Sequence, residues 1–527
     1  MTSNDDSDDA SANSSSSDRY DPVDLNSETL GYMKSNDEDF NAFYVTFNGD
    51  ANPNFPFDPL SIDWEEEGNA FSKSRHVKVL EIRDLRQDSD EHYFYCIENQ
   101  EERIRNAKAF YRAVAANRSC KYLSIEGNIT YGLEMKDTVS ILRPFIQNND
   151  KLCYLTLGHF ALDARTTQIL ASALSQCAGS LRSFGLTRIE NLTGRAMEKI
   201  INALKVTSCI EHFSFDENDI NDDAAAVLGD ALTTLCLKSL SVAGDFITME
   251  YGSISPAGME AITDGLMQNS TLEKLSFNRF PIGFEGGLFL AEAVSNNSSL
   301  VLKELDIFCA VHSGNFAPSL EGWELFFDFL SNSSLHKLQL GGNNIPDDAI
   351  PSMVDCLNSM SSLTELNLSH CSNITDSGWT NFFRLLRNNT TLRKCGYLNN
   401  LRGTDVIEAM WKTLCDRTSV DSIFSSNHTL CDIRSWSIDP GIKSILNINK
   451  NDDKVEVARQ KIIKYYFLVD NNLHELGIMD LGLLPRVLEH VDKYEPARLY
   501  EIVRFIPSLV HSIEKTNDAR RKRKRMA

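Results

Sequence analysis

The sequence predicts an α/β solenoid, a right-handed horseshoe of strand–turn–helix repeats whose strands form one curved parallel sheet, with a helical C-terminal cap. Three observations predict it. An L-x-x-L-x-L segment returns along the chain at a near-constant interval, and each copy is followed by apolar residues at helical spacing. No single copy can bury its apolar edge alone, so the copies must stack.

The clearest unit is LTELNLSHCSNITDSGWTNFFRLLRNNTT, residues 363–391. Its alternating x-L-x-L suits a short strand with one buried face, because successive strand side chains point to opposite sides. In its second half Trp379, Phe382, Phe383, Leu385 and Leu386 fall at the spacing of one helical face. The same triplet recurs as Leu152/Leu155/Leu157, Leu181/Phe184/Leu186, Ile210/Phe213/Phe215, Leu237/Leu240/Val242, Leu272/Leu275/Phe277, Leu302/Leu305/Ile307 and Leu335/Leu338/Leu340. It continues, degraded, at Leu392/Cys395/Tyr397. The middle positions lie 27 to 35 residues apart, most of them 28 to 30. VLEI at 79–82 and YLSI at 122–125 extend the array toward the N-terminus. Asn218, Asn343 and Asn373, after the strands, are expected to bond backbone groups left unpaired where the chain turns inward.

The pattern L-x-x-L-x-L-x-x-N-x-I followed by a helix resembles leucine-rich repeats of the ribonuclease-inhibitor type, over roughly residues 77–425. The resemblance implies a helix in every repeat and a protein as partner. Phe replaces Leu at 184, 213, 215 and 277, which implies a larger core volume in the early units.

The flanks differ in composition. Residues 1–40 combine low hydrophobicity with Ser, Asn and Asp and are expected to be disordered. Residues 41–76 hold FNAFYVTF and FPFDPLSIDW, enough aromatics for an N-terminal cap over the first repeat edge. The repeats are expected over 77–425 and the C-terminal cap over 426–513. In that cap NHTLCDI reads as a final strand, followed by three helices at VEVARQKIIKYYFL, LLPRVLEHV and PARLYEIVRFIPSLV. Residues 514–527 form a basic tail.

Composition narrows the function. A formal charge of −22 over 527 residues disfavours general binding to phosphate backbones. The twelve cysteines include no C-x-x-C pair, which supports neither a zinc site nor a redox pair. Cys153, Cys177, Cys236 and Cys356 sit in apolar runs and are expected to be buried thiols. The polar N-terminus lacks a secretory h-region, and no apolar stretch approaches the roughly 20 residues of a membrane span. A soluble, cytoplasmic protein is expected, with sequons such as Asn373-Ile-Thr and Asn389-Thr-Thr serving as turn chemistry.

Nothing catalytic assembles. The chain has no G-x-x-x-x-G-K-[ST], H-E-x-x-H, G-x-S-x-G or G-x-G-x-x-G. His159, His212 and His370 stand near strand ends and read as surface imidazoles. No catalytic residue, metal ligand, cofactor or small-molecule substrate is expected.

The concave face, read from positions flanking the strand leucines, is mostly small and polar, with Tyr154 and Phe308 as its large aromatics. Two units are long, with extra residues between strand and helix at 244–258 and 309–322. Insertions in a repeat array emerge on one face, often the binding face. Together with NRFP at 278–281 they bring Phe246, Tyr251, Arg279, Phe280, Phe308, His312 and Phe316 forward as partner-binding residues. The alternative is that the loops are tolerated insertions. At the C-terminus Arg520, Arg521, Lys522, Arg523, Lys524 and Arg525 read as a nuclear-import signal, a nucleic-acid patch or a solvated tail. The expected function is a non-enzymatic protein–protein interaction scaffold. The alternative is a regulator of a small GTPase, because Ran GTPase-activating proteins look like this repeat class. Their acting residues have no match here, and the tail is basic where theirs resembles an acidic pattern.

Overall fold

A computed structural model describes residues 42–47, 64–84, 100–126, 133, 135–177, 180–190, 192–206, 210–244, 254–311, 319–396, 403–434 and 438–469. The chain divides into two compact units, Met1–Thr187 with Asn202–Cys209, and Arg188–Ile201 with Ile210–Ala527.

The first unit carries β1 (Ala42–Phe47), α1 (Trp64–Lys73), β2 (Val79–Asp84), α2 (Gln100–Val114), β3 (Tyr122–Glu126), α3 (Met135–Asn148), β4 (Tyr154–Ala161) and α4 (Ala164–Leu174). The division between the units falls inside β5 (Ser183–Glu190) and α5 (Gly194–Lys205). Strands β1 to β4 pair in parallel and in chain order, with Leu80, Leu123 and Leu155 in one register row. The segment expected as a cap thus contributes a strand, β1, to this ladder.

The second unit continues with β6 (His212–Ser214), α6 (Asp222–Thr234), β7 (Ser239–Ser241), α7 (Pro256–Met267), β8 (Lys274–Ser276), α8 (Gly283–Asn296), β9 (Glu304–Asp306) and α9 (Leu320–Leu330). Then come β10 (Lys337–Gln339), α10 (Ile350–Ser359), β11 (Glu365–Asn367), α11 (Asp376–Leu385), β12 (Lys394–Gly396), α12 (Thr404–Leu414), α13 (Val420–Phe424) and β13 (Asp432–Arg434). Helices α14 (Pro440–Asn449) and α15 (Lys454–Lys461) follow, and α15 runs on as a π-helical turn over Ile462–Val469. The strands are parallel, and Phe213, Leu240, Leu275, Leu305, Leu338, Leu366, Cys395 and Ile433 form one register row. Each three-residue strand turns its central apolar side chain inward and its two neighbours outward, the period of two that the sequence pattern requires.

Two sets of asparagines join strand to helix and helix to strand. Asn343, fully buried, donates from Nδ2 to the Ile307 and Leu340 carbonyls and accepts from the Val311 amide at 3.0 Å. Asn218 plays the same part, accepting from the Ile189 amide at 2.7 Å. Asn373 does not: it is exposed, and the buried Cys371, two residues earlier, holds the inward position and directs its Sγ to the Leu340 carbonyl. The second set, including Asn269, Asn389 and Asn427, closes each helix onto the next strand. Asn389 of the Asn-Thr-Thr sequon is buried there, donating to the Leu357 carbonyl and accepting from the Leu392 amide at 2.8 Å.

Among the cysteines, Cys177 and Cys356 are buried, but Cys153 is only half-buried and Cys236 is exposed. Cys236 directly precedes Leu237, so as the chain enters the strand it points away from the core that Leu237 fills. The expected disordered N-terminus, the last two helices of the expected cap and the basic tail lie outside the described residues.

Candidate protein-interaction surface

Seven of the described repeats bend just past the strand through one left-handed residue. His159, Arg188, Glu217, Arg279, Cys309, Gly342 and His370, each four positions after its central strand residue, have φ between 50° and 70°. Only glycine adopts this region freely; other residues pay about 1–2 kcal/mol there. The bend turns the chain from the strands toward the helix layer, and it lifts side chains onto the edge between them.

In the second unit this edge gathers three unlike groups. Phe308, half-buried, stands one position before the Cys309 bend. The Arg279 guanidinium lies over its ring at 5.5 Å from the centroid, and the His370 ring meets it edge-on at 5.9 Å and 86°. Gly341 and Gly342, in the repeat between Phe308 and His370, make the floor. A Cβ on Gly341 would stand 2.6 Å from the Phe308 ring, and one on Gly342 would meet Cys309 Sγ. The aromatic ring is therefore flanked by neighbours from three other strands' ends.

Phe280 is a correction. Its side chain is fully buried, so it offers no surface to a partner. It stands five positions after Leu275, the place that Asn218, Asn343 and Cys371 hold in their repeats, and that place points inward beneath the bend. Counting from the strand would have placed it in the core. Phe246, Tyr251, His312 and Phe316 lie outside the described residues, as do Arg520 to Arg525. Of the expected partner-binding residues, the structure brings Arg279 and Phe308 together and adds His370, which the sequence presented only as a surface imidazole.

The adjoining strand face carries alternating charge. Lys274, Glu304, Lys337, Glu365, Lys394 and Asp432 occupy one register row across β8 to β13. Lys274 pairs with Glu304 at 2.9 Å and Lys394 with Glu365. One position before this row, Lys238 pairs with Glu211 at 2.8 Å and Lys303 with Glu273 at 2.7 Å. Exposed pairs of this kind add little stability. Their effect is to leave the face close to neutral within a strongly acidic chain. Deeper on the face, Asp306 accepts from Asn278 Nδ2 and the Phe308 amide, both at 3.1 Å. Burial holds its carboxyl above the usual carboxylate range, against those hydrogen bonds and the Lys337 charge. In the first unit Tyr122 and Tyr154, neighbours on β3 and β4, stack at 4.0 Å and 6°.

Among the described residues no group of His, Cys, Asp and Glu is arranged to hold a metal ion, and no helix is long and apolar enough to cross a membrane.

Parallel strands in register, a helix between each pair and inward asparagines at the turns define a strand–turn–helix repeat protein. The family described as Leucine Rich repeat matches residues 359–380. The chain is a leucine-rich repeat protein. It is similar to NACHT, LRR and PYD domains-containing protein 13 of Homo sapiens, 24% identical over 273 residues, covering 51% of this chain and 24% of that protein. It is also similar to NACHT, LRR and PYD domains-containing protein 14 of Mus musculus, 22% identical over 333 residues, 62% of this chain and 29% of that protein. The chain thus spans about a quarter of the length of these relatives. Among solved structures it resembles one of the yeast Rad7 and Elc1 complex, with a TM-score of 0.39 and 14% identity over 72% of this chain and 82% of the other. The leucine-rich repeat-containing protein LegL7 from Legionella pneumophila gives 0.35 and 12% over 69% and 94%.

Proposed function

We propose that this protein is a non-enzymatic interaction scaffold that binds a protein partner through the edge built on Phe308, Arg279 and His370, together with the neutral strand face beside it. One observation carries the reading: a large aromatic ring is held half-exposed on a glycine floor, where the core has no use for it. Aromatic and arginine side chains fixed in this way supply much of the energy of protein interfaces. The alternating row on the strand face then selects among partners, because a partner charge in the wrong register meets a like charge. The reading assigns no catalytic step and no cofactor.

Affinity capture from the native cell tests it, comparing the wild type with Phe308→Ala and Arg279→Ala. Truncation at a desolvated hot spot costs on the order of 2 kcal/mol, about thirtyfold in affinity. At least one partner is expected to be lost from both variants while the thermal midpoint stays within a few degrees of the wild type. Retention of every wild-type partner by both folded variants would remove this edge from consideration.

A further inference from the structure

The first unit differs from the second in how its cations are placed. Residues 64–187 hold sixteen Lys and Arg and sixteen Asp and Glu, so this stretch is neutral within a chain of net charge −22. Its cations gather where the chain enters its strands. The Lys121 amide donates to the Lys78 carbonyl at 2.7 Å, the Cys153 amide to the Lys121 carbonyl at 2.8 Å, and the Arg182 amide to the Cys153 carbonyl at 2.8 Å. Lys78, Lys121 and Arg182 therefore lie in one row, and Lys151, two residues before Cys153, serves the step between. Each of β2 to β5 is entered past a cation, and Asp150 is the one acid in these four approaches. Lys78, Lys121 and Lys151 have no carboxylate partner among the described residues. Burial, then the charges of Lys151 and Lys121, hold the Lys78 ammonium below the usual lysine range. Helix dipoles do not account for the row, because α1 to α3 end at Lys73, Val114 and Asn148 and a dipole acts within its own last turn. In the second unit Lys238 and Lys303, at the same place in their repeats, each meet a glutamate.

Beside the row is an aromatic platform with an open end. Tyr122 and Tyr154, half-buried, follow Lys121 and Cys153 directly and stack on each other. On β5 the matching position is Ser183, whose amide donates to the Cys153 carbonyl at 3.0 Å as the Tyr154 amide does to that of Lys121. The stack therefore stops at Tyr154, and one strand spacing, about 4.8 Å, is close to the thickness of one more ring. Two residues further along the same strands stand Thr156 and Gly185, where a Cβ on the glycine would lie 2.8 Å from Thr156 Oγ1. Thr156 shares the outward face with Tyr154, since both flank the buried Leu155. It is 4% exposed, and its Oγ1 has no hydrogen-bond partner among the described residues. A buried hydroxyl left in this way is unfavourable in the free protein and is satisfied by a ligand that reaches it.

We propose that the strand face of the first unit binds an extended segment of a partner protein in which an aromatic residue is flanked by acidic ones. Its ring stacks on Tyr154 above Ser183, a polar group of the segment bonds Thr156 Oγ1, and its carboxylates meet Lys78, Lys121, Lys151 and Arg182. The row crosses three strand steps, about 15 Å, a length that an extended segment covers in about five residues. A protein segment fits better than a nucleic-acid strand, because a long polyanion carries charges beyond this short row and is repelled by a chain of net charge −22. The ring supplies affinity at a partly desolvated site, and the lysines select the sign of what lies beside it. The surface is separate from the Phe308 edge, and either assignment can fail alone.

Fluorescence anisotropy with the full chain tests the proposal. The probes are a labelled peptide of about seven residues, acidic on both sides of a central tryptophan, and its counterpart with alanine at the centre. The tryptophan peptide is expected to bind about tenfold more tightly than the alanine one. Ser183→Phe places a ring of the chain's own beside Tyr154 and is expected to erase that difference, its fold checked by circular dichroism. Joint Lys78→Gln, Lys121→Gln and Lys151→Gln is expected to weaken both peptides about tenfold and to flatten their salt dependence. Thr156→Val is expected to weaken the tryptophan peptide about threefold while the thermal midpoint stays level or rises, a split that a purely structural hydroxyl would not produce. No saturation by the tryptophan peptide up to about 1 mM overturns the proposal, as does binding that Ser183→Phe and the glutamine variant leave unchanged. So does a single strand of about twelve thymidines that binds more tightly than the peptide and is lost from the same variants, which would assign the platform to nucleic acid.

Discussion

At the scale of single residues the repeat depends on polar groups placed where no water reaches. Asn427 is buried; its Nδ2 donates to the Leu386 and Asn389 carbonyls at 2.8 and 2.9 Å, and its Oδ1 accepts from the Thr429 and Leu430 amides, both at 2.9 Å. Replacement by alanine leaves these groups buried without partners. Asn427→Ala is expected to lower unfolding free energy by about 3 kcal/mol in denaturant titration, since each orphaned group costs about 1–3 kcal/mol. An effect below about 1 kcal/mol would mean water enters the turn. The carbonyl of Asn427 also receives Lys461, a fully buried lysine whose ammonium reaches the Leu414 carbonyl at 2.6 Å, the Asn427 carbonyl at 2.8 Å and His428 Nδ1 at 3.0 Å. Burial pushes Lys461 down to about 7 and, with the Lys461 charge, His428 down to about 4. Both hold their protons less tightly in the fold than in the unfolded chain, where their ordinary values are 10.5 and 6.5. Unfolding therefore takes up protons, and stability is expected to rise with pH from about 4 to 6.5 and again from about 7 to 10.5. Lys461→Met is expected to flatten the upper window and to leave a smaller lower rise, because burial still depresses His428 while the Lys461 charge no longer does. An unchanged upper slope in that variant would assign the rise to another group.

At the scale of elements, the strands were legible and the bends were not. Alternation of apolar and polar residues marked Leu240, Leu275, Leu305, Leu338 and Leu366 as strand centres, and these residues share a register row, because a one-residue slip would turn every leucine to solvent. The left-handed bend has no comparable signature. Only Gly342 is the residue type that such backbone favours, while Arg279, Cys309 and His370 adopt it because the repeat on either side fixes the chain's path. The misplacement of Phe280 has the same origin: its hydrophobicity is compatible with a loop anchor or with the core, and only distance from the strand separates them. Asn373 was misread for a related reason, since composition draws the eye to asparagine while geometry uses Cys371. Helix starts follow simpler rules. Ser255 caps α7 through the Ala257 amide, and the preceding helix's Asp222 accepts from the Ser255 amide at 2.9 Å and its hydroxyl at 2.6 Å. Ser255→Ala removes the cap and one bond between successive repeats, and is expected to cost about 1 kcal/mol by thermal denaturation. No measurable change would show that the Asp222 contact to the backbone amide suffices.

At the scale of the whole molecule, the proposed function is assigned by face rather than by position along the chain. In the second unit the strand face pairs many of its charges, helices α7 to α10 carry acidic residues alone, and the edge between strands and helices holds Arg279, Phe308 and His370. Periodicity revealed the scaffold because stacking forces every unit to repeat the same core positions. The edge proposed to bind was only partly legible because it arises from departures from the repeat, at Phe308 and at the glycine pair that makes room for it. The central claim is that this edge meets the partner, and site-specific photocrosslinking tests it most directly. A benzophenone side chain is placed at Phe308 and, separately, at Glu324 on the helix face, and both proteins are irradiated in the native cell extract. The account predicts one dominant crosslinked partner through position 308, competed by unlabelled wild type and absent through position 324. Crosslinking to the same partner through 324 but not 308 would contradict it.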